Sequence, residues 1–286
     1  MTDRTTLALA AVICACVAAP VSAQDAPPAG IDFEFQGVIQ PFASVTVANR
    51  ETGVIESIAF QGGERVEAGS VLASMDDAAA RIAVDAARAA VDEAAARLNL
   101  AEGAASRAAA LAARGTGSRV DADTTEGARQ IAAAALAGAR AALASAELAL
   151  SHMTITAPIA GTIGPPQVAP GAFVEAEAGA AIGEIMTLDP VRVAYGVPYA
   201  VRQRAMAATG ATGSHSMFER LRIRLVLPDG STYPHDGRPR FESGAMDPAT
   251  GLLTSWGEVP NPDGTLVPGL RVTVQSWVVP PPGVPD

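Results

Sequence analysis

The sequence predicts a mainly β chain interrupted by one long antiparallel α-helical hairpin, an elongated molecule of several modules. Three observations carry this. Residues 31 to 75 alternate apolar and polar positions with glycines between the runs, as half-buried strands and turns require. At Asp76-Asp77 the composition changes abruptly to alanine-rich sequence with regularly spaced charges, broken only by Gly115-Thr116-Gly117-Ser118. From Met153 the strand-like texture returns and continues to Val279.

The chain opens on an export signal: Arg4 in a short polar start, the apolar stretch Leu7 to Ala19, and Val21-Ser22-Ala23 before Gln24. This predicts a signal peptide over 1–23 and a chain that leaves the cytoplasm. The apolar run is shorter than the ~20 residues of a membrane helix and ends in Pro20. Both cysteines, Cys14 and Cys16, fall inside it, so a cleaved chain forms no disulfide. A second reading takes Ile13-Cys14-Ala15-Cys16 as a lipoprotein box with Cys16 acylated and the protein anchored to the inner membrane. No later stretch is expected to be long and apolar enough to span a bilayer.

Residues 24–44 read as a Pro/Ala linker and an N-terminal strand. The hairpin is expected over 77–150. Asp77, Arg81 and Asp85 are spaced by four, as are Arg88 and Asp92, and Glu93 and Arg97, so opposite charges lie on adjacent turns of a solvated face. Two helices joined by a few residues run antiparallel. About 36 residues at 1.5 Å give a rod of about 54 Å. Alanine favours the helix but buries little area, so such a hairpin wants neighbours. After it come short strands, a helix from Tyr199 to Ala208 behind Pro198, strands from Leu221 onward, and a proline-rich tail, 280–286, expected to be disordered.

Two separated segments then match one motif. The first is Gly53-Val54-Ile55-Glu56-Ser57-Ile58 with Gly62, Val66, Gly69, Val71-Leu72-Ala73 and Asp76. The second is Thr154 to Ile163 with Gly171, Val174, Gly179 and Ile182. Together they resemble the two halves of a lipoyl or biotinyl-carrier sandwich, 45–76 and 151–188. A carrier sandwich split by a helical hairpin resembles the periplasmic adaptor, or membrane-fusion, family of HlyD type. The resemblance extends to adaptors of resistance-nodulation-division (RND) pumps through Leu188-Asp189-Pro190-Val191, Asp247-Pro248-Ala249-Thr250-Gly251, Pro260-Asn261-Pro262-Asp263-Gly264 and Leu266-Val267-Pro268-Gly269-Leu270, which fall in the order of that family's β-barrel module, here 189–279. The resemblance implies a lipoyl-like β-sandwich plus a β-barrel. It also implies a subunit linking an inner-membrane RND transporter to an outer-membrane channel for export of drugs or other small molecules, working as a ring of copies. An adaptor of an ABC-type exporter is the alternative. Family members continue into a membrane-proximal domain, so the expectation is that this domain is absent here or reduced to a strand.

At the hairpin tip Arg107, Leu111 and Ser118 reproduce the family's Arg, Leu and Ser pattern, which implies contact with the outer-membrane channel. Arg107 and Leu111 lie one turn apart on one face, and Ser118 is placed to cap the second helix. Without the resemblance the three read as ordinary surface residues.

Enzymatic chemistry finds no support. Lipoyl and biotinyl groups attach to a lysine, and the chain has none, so no cofactor is expected. His152, His215 and His235 are far apart and lack partners at metal-ligand spacing; His235-Asp236 is expected to share a local hydrogen bond. A net charge of −10 without a basic run excludes a nucleic-acid footprint.

Overall fold

The computed structural model describes residues 33–176 and 180–279. The export segment with Cys14 and Cys16, the linker before Asp32, Gly179 and the tail 280–286 lie outside the described residues.

Strand β1 (Phe33–Ala48) is followed by β2 (Gly53–Ile58), β3 (Arg65–Val66) and β4 (Val71–Met75), then by helices α1 (Ala78–Ala113) and α2 (Arg119–His152). Next come β5 (Thr154–Thr156), β6 (Gly161–Ile163), β7 (Phe173–Val174) and the long β8 (Ala181–Pro198). The chain ends with α3 (Tyr199–Thr209), α4 (Ser214–Glu219), β9 (Leu221–Val226), β10 (Arg238–Glu242), β11 (Leu252–Val259) and β12 (Arg271–Val278).

Two separate cores organise the strands. Val47, Ile55, Leu72, Ile155, Ile163 and Ile185 fill the sandwich, and Ile39, Val193, Ile223, Leu225, Val259 and Val274 fill the barrel. Each such side chain contributes about 2 kcal/mol by leaving water. β1 and β8 serve both cores: Ile39 and Val47 belong to one strand, as do Ile185 and Val193. Residue 44 is thus no break in the chain's structure, because one strand runs through it. The sheet order β10-β11-β8-β1-β12-β9 closes into a barrel through Ile223 and Gly237, which exchange both backbone hydrogen bonds.

Between the cores the β1–β8 ladder is interrupted. Pairing jumps from Pro41↔Val191 to Ala43↔Thr187, leaving Phe42 opposed to Leu188, Asp189 and Pro190. The loop after β11 clasps both strands here. Buried Asn261 donates from Nδ2 to the carbonyls of Leu188 (2.8 Å) and Leu266 (3.0 Å), and its Oδ1 accepts from the Leu266 N–H (3.0 Å). Its own N–H donates to Asp189 Oδ1 (2.8 Å), while Ile39 exchanges backbone bonds with Gly269 and Leu270.

The hairpin is held by a heptad seam. On α1, Val84, Val91 and Leu98 alternate with Ala87, Ala94 and Ala101 at the less exposed positions; on α2, Leu136, Leu143 and Leu150 alternate with Ala132, Ala139 and Ala146. Spacings of three and four keep one stripe against the partner helix, with the large residue at position a and alanine at d. The expected charge ladder is partly rewired. Arg81 pairs with Asp77 (2.7 Å) and Arg97 with Glu93 (2.5 Å), but Arg88 reaches Asp85 (3.8 Å) and, across the seam, Glu147 (4.0 Å) rather than Asp92.

One expectation is corrected: α2 is long and apolar enough to cross a membrane by composition, with a window of mean hydropathy 1.4. Alanine raises the index while presenting little apolar area. The helix lies along α1 and carries Glu126, Arg129, Arg140 and Glu147.

Candidate functional site

The end of the hairpin is built from its helix caps. α1 stops because Gly115 takes φ +72, the left-handed region that glycine enters without steric cost. The N–H of Thr116 then donates to the Leu111 carbonyl (3.0 Å) and that of Gly115 to the Ala112 carbonyl (3.0 Å), the paired bonds of a Schellman cap. Gly117 also donates to Leu111 O (3.1 Å), and a Cβ at 117 would stand 2.8 Å from Leu111 Cβ. The backbone of Leu111 is therefore fixed by the turn that follows it.

Leu111 is 48% exposed at the end of a helix and makes no core contact. Arg107 lies one turn below, exposed, its guanidinium extended back over Gly103, where a Cβ would approach Nη1 to 3.2 Å. Ser118 opens α2 in extended conformation (φ −74, ψ 135), and its carbonyl accepts from the Ala122 N–H at 3.2 Å. Its hydroxyl makes no capping bond. Ser118 occupies the cap position without the expected side-chain role, so its Oγ stays available.

The structure gathers Leu111 and Ser118 at the turn and places Arg107 on the adjoining flank. It adds groups that the sequence reading did not single out: exposed Arg114 and Arg119 flank the turn, Val120 is 72% exposed beside it, and Gly103 and Gly117 make room for Arg107 and Leu111. Two glycines at those spacings were the available signal. One turn further, Glu126 is held at about 2 by hydrogen bonds from Arg129 and Gln130. The tip thus presents arginines and two apolar side chains on a fixed backbone.

No cluster of three metal-ligating side chains occurs among the described residues. His152 faces Glu51 (3.3 Å) at the hairpin's base and His215 lies 3.7 Å from Glu219. His235 packs edge-on against Tyr233 while Asp236 accepts both bonds of Arg224 at 2.7 and 3.0 Å. The expected His235-Asp236 bond is displaced by this stronger, bidentate arginine contact.

Residues 43–186 match the family model described as RND MFP, barrel-sandwich hybrid domain. The chain is 33% identical over 249 residues to the efflux pump periplasmic linker BepD of Brucella suis, and 30% identical over 247 residues to the multidrug efflux pump subunit AcrA of Escherichia coli K12. Each match covers 86% of this chain but 62% of the relative, so the chain spans about three fifths of those proteins. The membrane fusion protein Spr0693 of Streptococcus pneumoniae R6 shares the fold at TM-score 0.65 and 17% identity, covering 87% of this chain and 100% of that one. A putative efflux transporter from Bacteroides eggerthii does so at 0.60 and 17%, covering 89% and 71%.

Proposed function

The chain belongs to the RND membrane-fusion protein family, and we propose that it acts as the periplasmic adaptor of a tripartite efflux pump. It links an inner-membrane RND transporter to an outer-membrane channel, as a ring of copies, for export of drugs or other small molecules. The observation that carries this is the split sandwich: two half-sandwiches close on one core while a helical pair of about 54 Å projects from between them. An object of that shape carries a contact surface at the far end of a rod, and acts by contact with what it meets there.

In this reading the tip is the channel-binding end, with Arg107 supplying charge, Leu111 an apolar knob, and Ser118 a hydroxyl. Arg107→Asp or Leu111→Ser removes one anchor of the contact, about 2 kcal/mol, or roughly thirtyfold in affinity. Both positions are exposed, so folding and protein level should not change. Host cells carrying either variant should accumulate a fluorescent pump substrate as a deletion strain does. Normal efflux by both variants at normal protein level would overturn the tip assignment. Normal efflux in the deletion strain would overturn the function itself.

A further inference from the structure

Helices α3 and α4 lie across the end of the barrel where β8, β10 and β12 finish and β9 and β11 begin. Under them Ala205, Met217, Phe218 and Leu221 form a small core of their own, separate from the barrel core of Val193, Ile223 and Val274. Between the two cores lies a cavity of about 30 Å³, walled on its apolar side by Phe35, Val197, Met217 and Phe218. Three hydroxyl residues also line it: Tyr195 from β8, Ser255 from β11 and Ser276 from β12. Each takes an inward place in a strand row that is otherwise apolar or glycine, Ser255 between Leu253 and Gly257, Ser276 beyond Val272 and Val274, and Tyr195 beyond Val191 and Val193.

Tyr195, Ser255 and Ser276 are 5%, 2% and 4% exposed, and their hydroxyls make no hydrogen bond with any described residue. Burying one hydroxyl without a partner is costly, and three at one level of a barrel would be a large fraction of a domain's stability. Register puts Tyr195 directly opposite Ser255, so these two groups reach the cavity from adjacent strands. A fourth group faces them. Glu242 lines the same cavity; its Oε1 accepts from Arg202 Nε at 2.8 Å and from Ser214, while its Oε2 accepts only from Arg202 Nε, at 3.0 Å. Oε2 therefore keeps a lone pair. Burial, and then the Glu242 charge, push the Tyr195 pKa up, so its hydroxyl keeps the proton that it can donate.

Size and charge decide the occupant. One water needs about 10–15 Å³ of such space, so the cavity holds about two, and a ligand with an aromatic ring does not fit. A cation would meet the Arg202 guanidinium beside the one carboxylate that lines the cavity, and an anion would meet that carboxylate. What fits is small, neutral and able both to donate and to accept. We propose that the cavity is an internal water site, in which two water molecules bind the hydroxyls of Tyr195, Ser255 and Ser276 and connect them to Glu242. The cap is then joined to β8, β11 and β12 through water as well as to β10 through the Arg202 ion pair. The site is a property of the barrel and does not depend on the adaptor reading.

The test counts these waters in the chain as exported by its host. A crystal structure that resolves ordered water should show two peaks in the cavity, each within hydrogen-bond distance of at least two of the four groups. An empty cavity, or density of another shape, overturns the proposal. In solution, oxygen-17 magnetic relaxation dispersion measures long-lived internal water. Ser255→Val with Ser276→Val removes two of the hydroxyls and puts methyl groups in the space, with side chains that suit strands. The amplitude should fall by about two waters relative to the unsubstituted chain. An unchanged amplitude in a folded variant, checked by circular dichroism and tryptophan fluorescence, overturns the proposal as well. Should the double variant not fold, the peaks in the unsubstituted chain decide alone.

Discussion

Asn261 joins the barrel to the segment that crosses into the sandwich, and Asn261→Ala should unfasten it. The side chain is 2% exposed. Its removal leaves the Leu266 N–H and the Leu188 and Leu266 carbonyls without the bonds they make at 3.0, 2.8 and 3.0 Å. Tyr233 keeps a partner, because its hydroxyl also donates to the Pro260 carbonyl at 3.0 Å. An orphaned buried donor costs about 1–3 kcal/mol. The carbonyls cost less, since Leu188 and Asn261 border a cleft of about 220 Å³ through which water can reach them. The total is about 3 kcal/mol. Trp256 and Trp277 both lie in barrel strands, so tryptophan fluorescence during urea unfolding reports this module. With m near 2 kcal/mol per molar, the midpoint should fall by about 1.5 M. A fall below about 0.3 M would show that the clasp contributes little and that the strands alone hold the junction.

Arg202 and Glu242 are 19% and 10% exposed at 2.7 Å and tie α3 to β10, with Ser214 donating to the same carboxylate. Glu242→Ala strands a desolvated guanidinium and should lower barrel stability by about 2–3 kcal/mol in the same urea assay, whereas a surface pair would show less than about 1. Burial raises the Glu242 pKa, and the hydrogen bonds from Arg202 and Ser214 outweigh it to leave it lowered. Its contribution is therefore present above the unfolded value of 4.5 and lost as pH falls below it; acid titration of unfolding should show this loss, and Glu242→Gln should remove it. Glu126, lowered from 4.5 to about 2 by Arg129, then Gln130, follows the same sign: hairpin helicity in Glu126→Gln should be less acid-sensitive than wild type between those values, by circular dichroism at 222 nm. Gly117→Ala places a Cβ 2.8 Å from Leu111 Cβ and should impair efflux like Leu111→Ser while helicity is kept; full efflux would show that the turn can give way.

The sequence exposed whatever local composition dictates. The break at Gly115 was legible because a left-handed residue ends a helix wherever it occurs. The alternation in β12, buried and half-buried by turns, was legible because Val272 and Val274 declare one face. The heptad seam was present in the sequence but masked, since alanine fills the seam at Ala87 and Ala94 and the outer surface at Ala90 and Ala135 alike. Position a alone, Val84, Val91, Leu98, would have revealed it. What could not be read locally depends on distant partners. Asn261 meets Leu188 across 73 positions and Glu51 meets His152 across 101, and nothing in the flanking residues names either partner. At the tip, only the family resemblance singled out Arg107, Leu111 and Ser118, and only the turn geometry shows that Gly117 must be small.

The sharing of β1 and β8 between the two cores decides how force can travel through the molecule. Were the sandwich and barrel joined by one flexible segment, displacement of the hairpin would dissipate there. Two hydrogen-bonded strands cross instead, and between the two cores their ladder lapses at Phe42 against Leu188, Asp189 and Pro190. Bending between the modules concentrates at that lapse, where the Asn261 loop grips β8 through Leu188 and Asp189 and β1 through Ile39. The loop lies on the barrel side of the lapse, so a change in angle between the modules must strain these bonds or break them. A contact at the tip is thus coupled to the barrel by continuous backbone, with the Asn261 clasp setting the stiffness of the lapse. For this reason Asn261→Ala should lower efflux more than its loss of stability alone implies, which comparison with a core change of similar cost such as Ile223→Ala, about 3 kcal/mol, would reveal.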